Sequence, residues 1–272
     1  MSDALAGLDV AWPRPRPAPG AASTGLVITT WNRPGYVRRS FRSLARSGLR
    51  DAVVVVVDDA SDDRRTRRLV QDLALPVPVV RMWRRERREP GIHRGLLAGW
   101  SLCAGELGCE LLANLDSDAI VRPGWLDAER ALFRREAARR GAVVVTGFHA
   151  VRHRVRASHA DFREKESVGG MNLLFDRAVY EAHVREALAG RNWDWRLVRA
   201  LEAAGVPMLT TRPSVAQHIG RRGLFSSAEL GFDVATDWWV DAPAVELAAR
   251  AVGRASREIV QRTRAIVKKL RG

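Results

Sequence analysis

The run Ala52-Val53-Val54-Val55-Val56-Val57 constrains the fold more than any other stretch of the chain. Five β-branched residues in a row leave neither side of a strand polar, so both faces must be covered, as in a parallel strand between two layers of helices. The run stops at Asp58-Asp59-Ala60-Ser61-Asp62-Asp63. That places acids at the carboxyl end of a buried strand, the edge where open α/β sheets bind their ligands.

The same grammar recurs on either side. Leu26 to Thr30 is a β-rich run ending at Trp31-Asn32-Arg33-Pro34, and Pro34 opens a helix whose apolar face is Val37, Phe41, Leu44 and Ala45, closed by Gly48. A helix through Leu69, Val70 and Leu73 precedes a third strand, Val77 to Val80, and the charged segment Arg81 to Glu89 reads as a surface loop. From Gly91 a helix with Ile92, Leu96, Leu97, Trp100 and Cys103 on one face leads to the strand Leu111–Leu115. Pro123 begins a helix with Trp125, Leu126, Leu132 and Phe133, and Ala142 to Thr146 is a further strand. Strands alternating with helices predict an α/β fold, a mostly parallel sheet flanked by helices.

Beyond this the pattern loosens. Arg152 to Glu166 fits no element, while Gly169-Gly170 leads into a strand through Phe175, and Asp176 caps the helix after it. Trp193-Asp194-Trp195 opens a helix through Leu201, closed by Gly205, and Val206 to Thr210 is a short strand. Val215-Ala216-Gln217-His218-Ile219-Gly220 follows.

At the end of the Leu111–Leu115 strand stand Asp116-Ser117-Asp118. Carboxylates two residues apart can converge on one ligand, and they repel each other unless a cation lies between them. The simplest reading is a divalent-metal site.

The formal charge is +14 and the pI near 11.2, values that often mark nucleic-acid or anionic-surface binding. Lys165, Lys268 and Lys269 are the only lysines, so arginine carries the charge, through a functional surface or a compositional bias. Cys103 and Cys109 have neither C-x-x-C spacing nor a histidine pair, which argues against structural zinc and a disulfide framework. No signal core or membrane-length apolar run appears, so a soluble, cytoplasmic protein is expected.

Taken in order, Ile28-Thr29-Thr30-Trp31-Asn32-Arg33-Pro34, Val57-Asp58-Asp59-Ala60-Ser61-Asp62 and Leu115-Asp116-Ser117-Asp118 resemble glycosyltransferase family 2. Gly169-Gly170, Trp193-Asp194-Trp195 and Gln217-His218-Ile219-Gly220 follow in the family's usual order, so the resemblance covers roughly residues 24 to 220. It implies the GT-A fold, a nucleotide-diphospho-sugar donor (UDP-, GDP- or dTDP-linked), Mn²⁺ or Mg²⁺, and inverting transfer. Thr29, Trp31 and Asp59 would form the nucleotide pocket, with Asp58 structural or ribose-directed. Trp31 stands where tyrosine is more common, and core packing is its alternative. Asp118 would bind the metal, Asp116 the ribose or the metal through water, and His218 would be a second protein ligand. Ser117 belongs to the donor site, and Arg94 would reach the nucleotide or diphosphate, unless it is an ordinary surface arginine. Asp194 would be the catalytic base, Trp193 and Trp195 a sugar platform, and Gly169 and Gly170 a close approach to the donor sugar. An N-cap is the plainer reading of Asp194, and turn chemistry that of the glycine pair.

The expected organisation is a flexible Pro-rich leader over 1–22, a catalytic domain over 23–222 and a C-terminal extension over 223–272. Within the domain, 23–120 is the nucleotide-binding half and 121–222 the acceptor half. Ile259, Thr263, Ile266, Val267 and Leu270 form one face of a basic tail helix, suited to a membrane surface, to the domain itself or to a second subunit. Two other functions would demand different features. A sugar-nucleotide nucleotidyltransferase would carry an early glycine-rich phosphate loop, and none follows the first strand. A noncatalytic binder of nucleic acid or anionic glycan would set basic and aromatic groups, rather than acids, at the strand ends.

Overall fold

A computed structural model describes residues 3–86, 92–150, 152–190, 192–220, 234–235 and 237–238. Strand β1 (Leu8–Ala11) precedes four strands, β2 (Thr24–Thr30), β3 (Ala52–Asp58), β4 (Val79–Arg84) and β5 (Leu111–Leu115). Helices α1 (Pro34–Ala45), α2 (Arg64–Gln71) and α3 (Ile92–Ala104) alternate with those four. Then come β6 (Ala119–Val121), α4 (Trp125–Arg140), β7 (Val144–Thr146), β8 (Val155–Ser158), β9 (Phe162–Lys165) and β10 (Asn172–Asp176). Short turns α5 (Arg177–Val179) and α6 (Arg185–Ala187) flank a π turn at Tyr180–Val184. Helix α7 (Trp193–Ala203) and strands β11 (Met208–Thr211) and β12 (Ala216–His218) follow.

Ten strands form one sheet in the order β1-β4-β3-β2-β5-β10-β7-β11-β9-β8. Strands β4, β3, β2 and β5 are mutually parallel. Strand β10 runs antiparallel between β5 and β7, and β12 pairs with β6 in a separate two-stranded sheet. The valine run shows why the fold is doubly wound. Val54 and Val56 enter a core with Val37, Phe41 and Leu44 of α1 and Leu132 and Phe133 of α4. Val53, Val55 and Val57 enter the opposite core with Leu96, Trp100 and Cys103 of α3. Each buried valine is worth about 1.5–3 kcal/mol, against a whole β-propensity scale of about 1 kcal/mol, so burial on both faces decides the strand. Helix α3 lies so close that a Cβ on Gly99 would sit 2.5 Å from Val27 Cγ1.

Three expectations change. Residues 3–22 are not a loose leader: β1 pairs antiparallel with β4, Leu8 opposite Arg84, and Leu5 is buried. Strand β4 runs on through Arg84 where a loop was expected. Arg81 tolerates a strand because its Nε donates to Val70 O at 2.9 Å, satisfying a carbonyl in the last turn of α2. Arg152 to Glu166 contains the β8–β9 hairpin at the sheet edge. The expected tail helix lies outside the described residues. Among those described, both cysteines are free and buried, and no helix is long and apolar enough to cross a membrane.

Helix α4 carries an acid that its arginine-rich sequence disguises. Glu129 is fully buried, and among the described residues neither carboxyl oxygen has a well-formed hydrogen bond. Burial pushes its pKa well up, with Asn172 and the Gly147 N–H opposing. A raised carboxyl favours the folded state below its unfolded value of 4.5, and that contribution is lost as pH rises toward the folded value. Glu129→Gln should therefore gain stability relative to wild type as pH rises above 4.5, by up to about 1.4 kcal/mol per pH unit. Thermal melts of both proteins across pH 5–8 check this; parallel curves would count against it.

Candidate active site

Strands β3, β2 and β5 are neighbours, so their carboxyl ends share one edge. After β2 the chain turns through Asn32 and Arg33, both left-handed (φ 50° and 60°), a conformation that non-glycine residues hold only when neighbours impose it. The Asn32 N–H donates to Ser61 Oγ at 2.8 Å, and Asn32 Oδ1 accepts the Asp62 and Asp63 N–H groups at 3.1 and 3.0 Å. Asp58 locks the same junction. Its Oδ2 accepts from Thr30 Oγ1 at 2.9 Å and Ser61 Oγ at 2.7 Å, and its Oδ1 from the Ser61 N–H at 2.8 Å. Three hydrogen bonds thus tie the Asp58 carboxylate to the loops. Asp59 is nearly buried and pairs with Arg84 Nε at 2.8 Å. Thr29 is buried, close enough to α3 that a Cβ on Gly95 would sit 2.9 Å from its Cγ2. Trp31 is half-buried, and Arg94 is exposed in the first turn of α3.

At the end of β5, the Asp116 N–H donates to Met171 O and the Ala119 N–H to Asp116 O, a turn that brings the acids onto the edge. Asp118 is 8% exposed. Its Oδ1 lies 3.3 Å from His218 Nε2, and its Oδ2 2.8 Å from Arg33 Nη1. His218 is delivered by strand pairing, opposite Ala119 on β6, and the Ile219 N–H donates to Asp118 O at 2.8 Å. Burial pushes the Asp118 carboxyl up, but His218 and then Arg33 outweigh it and bring it down to about 2. Asp118 is thus an anion at any working pH. Asp116 moves the other way: burial and the Asp118 charge push it well up, Arg33 opposes, and Asp194 adds a further push. Its Oδ1 is buried with no hydrogen-bond partner among the described residues, and Ser117 between the acids is half-buried. Among the described residues no three His, Cys, Asp or Glu side chains gather as a metal cluster. Asp118 and His218 adjoin, and Asp116 stands two residues before Asp118 at the same strand end.

Asp194 sits in the first turn of α7, and its Oδ1 accepts the Trp195 N–H at 2.9 Å. The N-cap residue is Asn192, and Asp194 lies two residues further on, inside the helix. The two tryptophans part company. Trp193 is 5% exposed and packs edge-on to Trp100 in the core, so it is not a platform for sugar. Trp195 is 49% exposed. A Cβ on Gly170 would clash with Trp193 Cζ2, so this glycine makes room for the indole. Gly169 faces His153, whose Nε2 would be 3.4 Å from its Cβ. Two residues of the edge, Arg33 and Arg84, were not foreseen. Arg33 lay inside the first motif, but nothing separates either from the chain's many arginines.

The profile of the family described as Glycosyl transferase family 2 matches residues 26–184, more than half of the chain. The chain belongs to glycosyltransferase family 2. The family 2 match takes in β2 through the π turn, hence the acids of β3 and β5, and ends before Asp194 and His218. Similar folds are seen in the crystal structure of S. aureus TarS 1-349 in complex with UDP-GlcNAc (TM-score 0.56, 16% identity, 74% of this chain and 59% of that one). Another is the structure of GalNAc-T7 with UDP, GalNAc and Mn²⁺ (TM-score 0.55, 13% identity, 81% and 45%). This family 2 chain therefore spans about three fifths and under half of those two chains. No curated protein sequence matches it significantly.

Proposed function

We propose that the protein is a divalent-cation-dependent, inverting glycosyltransferase that moves a sugar from a nucleoside-diphosphate donor to an acceptor hydroxyl. The observation that carries this reading is the Asp118 carboxylate, kept anionic at the end of β5 between His218 and Arg33. Family membership supplies the reaction class.

The donor set suits Mn²⁺ or Mg²⁺. One carboxylate and one imidazole, with the orphaned buried Asp116 Oδ1 nearby, leave most of an octahedral shell for oxygens of another molecule. Asp118 and His218 would hold the cation, and Asp116 the ribose or a water on the cation. When bound, the cation neutralises charge developing on the departing diphosphate. Asp59 and Trp31 lie on the same edge for the nucleotide, and Arg94 and Ser117 remain donor contacts under this reading. Asp194 takes the proton of the acceptor hydroxyl as its oxygen bonds to the anomeric carbon and the bond from that carbon to the diphosphate breaks. A single displacement of this kind inverts the anomeric centre. Trp195 offers the exposed indole face against which an acceptor sugar can pack.

The structurally similar proteins were solved with UDP-GlcNAc or with UDP and GalNAc, so UDP-sugars come first in a screen, ahead of GDP- and dTDP-sugars. With Mn²⁺ present, one donor should raise the melting temperature by mass action and be slowly hydrolysed to its nucleoside diphosphate. A chelator should abolish the hydrolysis and reduce the shift in melting temperature. A donor turned over equally well in excess chelator would overturn the metal-dependent part of the reading.

A further inference from the structure

Arg33 holds a position that neither packing nor charge balance explains fully. Its left-handed backbone, fixed by the Asn32–Ser61 junction, turns the side chain back toward the end of β5. Nη1 meets Asp118 Oδ2 at 2.8 Å, and the guanidinium carbon stands 4.4 Å from the centroid of the Tyr36 ring. Gly220 closes the far side: a Cβ there would be 2.1 Å from Asp118 Oδ2 and 3.0 Å from Arg33 Nη2. Within this enclosure Nε and Nη2 are buried and, among the described residues, have no acceptor. Buried guanidinium donors without acceptors are costly, and the planar fork matches phosphate oxygens. Arg33 is also the N-cap residue of α1 and provides no side-chain cap. The helix's positive end therefore adds to the same anion-favouring field.

We infer that Arg33 is an exchangeable partner of Asp118: it neutralises that carboxylate in the donor-free protein and turns its spare N–H donors to the donor's diphosphate when the donor binds. This rests on the reading of the edge as a metal–diphosphate site. The exchange couples two ligands. Without a diphosphate, the guanidinium competes with the cation for Asp118, so Mn²⁺ binds weakly. With one, Arg33 has a better partner, and Asp118 Oδ2 is released to the cation. Binding of cation and diphosphate is then mutually reinforcing.

The test uses Mn²⁺ alone, inorganic pyrophosphate and UDP as probes on the full chain, with Arg33→Gln and Arg33→Lys beside wild type. Free Mn²⁺ is followed by electron paramagnetic resonance, and anion binding by calorimetry in chelator. Arg33→Gln should bind Mn²⁺ about 5–20-fold more tightly without nucleotide, and pyrophosphate and UDP about 10-fold more weakly without metal. Arg33→Lys keeps the charge but loses the fork, so its Mn²⁺ affinity should stay near wild type while its anion affinity falls. Unchanged or weaker Mn²⁺ binding by Arg33→Gln overturns the exchange while leaving the donor site standing. Wild type that binds neither Mn²⁺ nor UDP overturns both readings. Circular dichroism melts of the variants confirm that binding is compared between folded proteins.

Discussion

Asp118→Asn should lower metal-dependent turnover by about 10²–10³-fold, the scale on which removing one electrostatic stabiliser acts. The carboxamide keeps the shape of the side chain, and the backbone contact from the Ile219 N–H to Asp118 O is untouched, so the fold at β12 should survive. What disappears is the charge. In the native site that charge is held against a burial penalty by His218 and Arg33, bringing the carboxyl to about 2, so protonation does not weaken it between pH 5 and 8. The variant should therefore show the same proportional loss across that range, accompanied by much weaker Mn²⁺ binding in the presence of UDP. Steady-state rates at several Mn²⁺ concentrations, with Mn²⁺ binding measured directly, check both parts. Turnover within fivefold of wild type would remove Asp118 from the metal site.

Part of this site can be read from sequence because strand geometry is simple. Acids just beyond a buried strand must emerge on the ligand edge, and Asp58-Asp59 and Asp116-Ser117-Asp118 do so. Which acid performs which task depends on hydrogen bonds between loops. Asp58 and Asp59 are adjacent and chemically identical, yet one is consumed by Thr30 and Ser61 and the other pairs with Arg84. The tryptophans teach the same lesson on a helix. Trp193 and Trp195 flank one aspartate, but two residues of α-helix turn the chain by more than half a circle, so one indole is core and the other surface. Sequence does not reveal that phase at a helix start. Strand β1 and the β8–β9 hairpin stay hidden for another reason: they lie at the two ends of the sheet, are rich in arginine or followed by prolines, and join the sheet through β4 and β11, which lie far away in the chain. Glu129 is the converse case, since a glutamate among arginines on a helix looks like surface until the packing against Gly147 is known.

Asp194→Asn should separate chemistry from binding. If this carboxylate takes the acceptor proton, its amide cannot, and kcat should fall about 10²–10⁴-fold. The affinity for UDP and Mn²⁺ should remain within about twofold, because the acid touches neither in the proposed arrangement. The helix should tolerate the change: asparagine Oδ1 can still accept the Trp195 N–H, and the N-cap belongs to Asn192. Donor hydrolysis by water should decline less than transfer to an acceptor, because a sugar hydroxyl depends more on a positioned base than a small mobile nucleophile does. Trp195→Ala supplies the contrast, with a raised acceptor KM and little change in kcat at saturation. A variant in which kcat for transfer stays within fivefold of wild type would move the base elsewhere. A parallel loss of UDP affinity would instead mean that Asp194, whose charge already acts on Asp116, serves the donor site and not the acceptor.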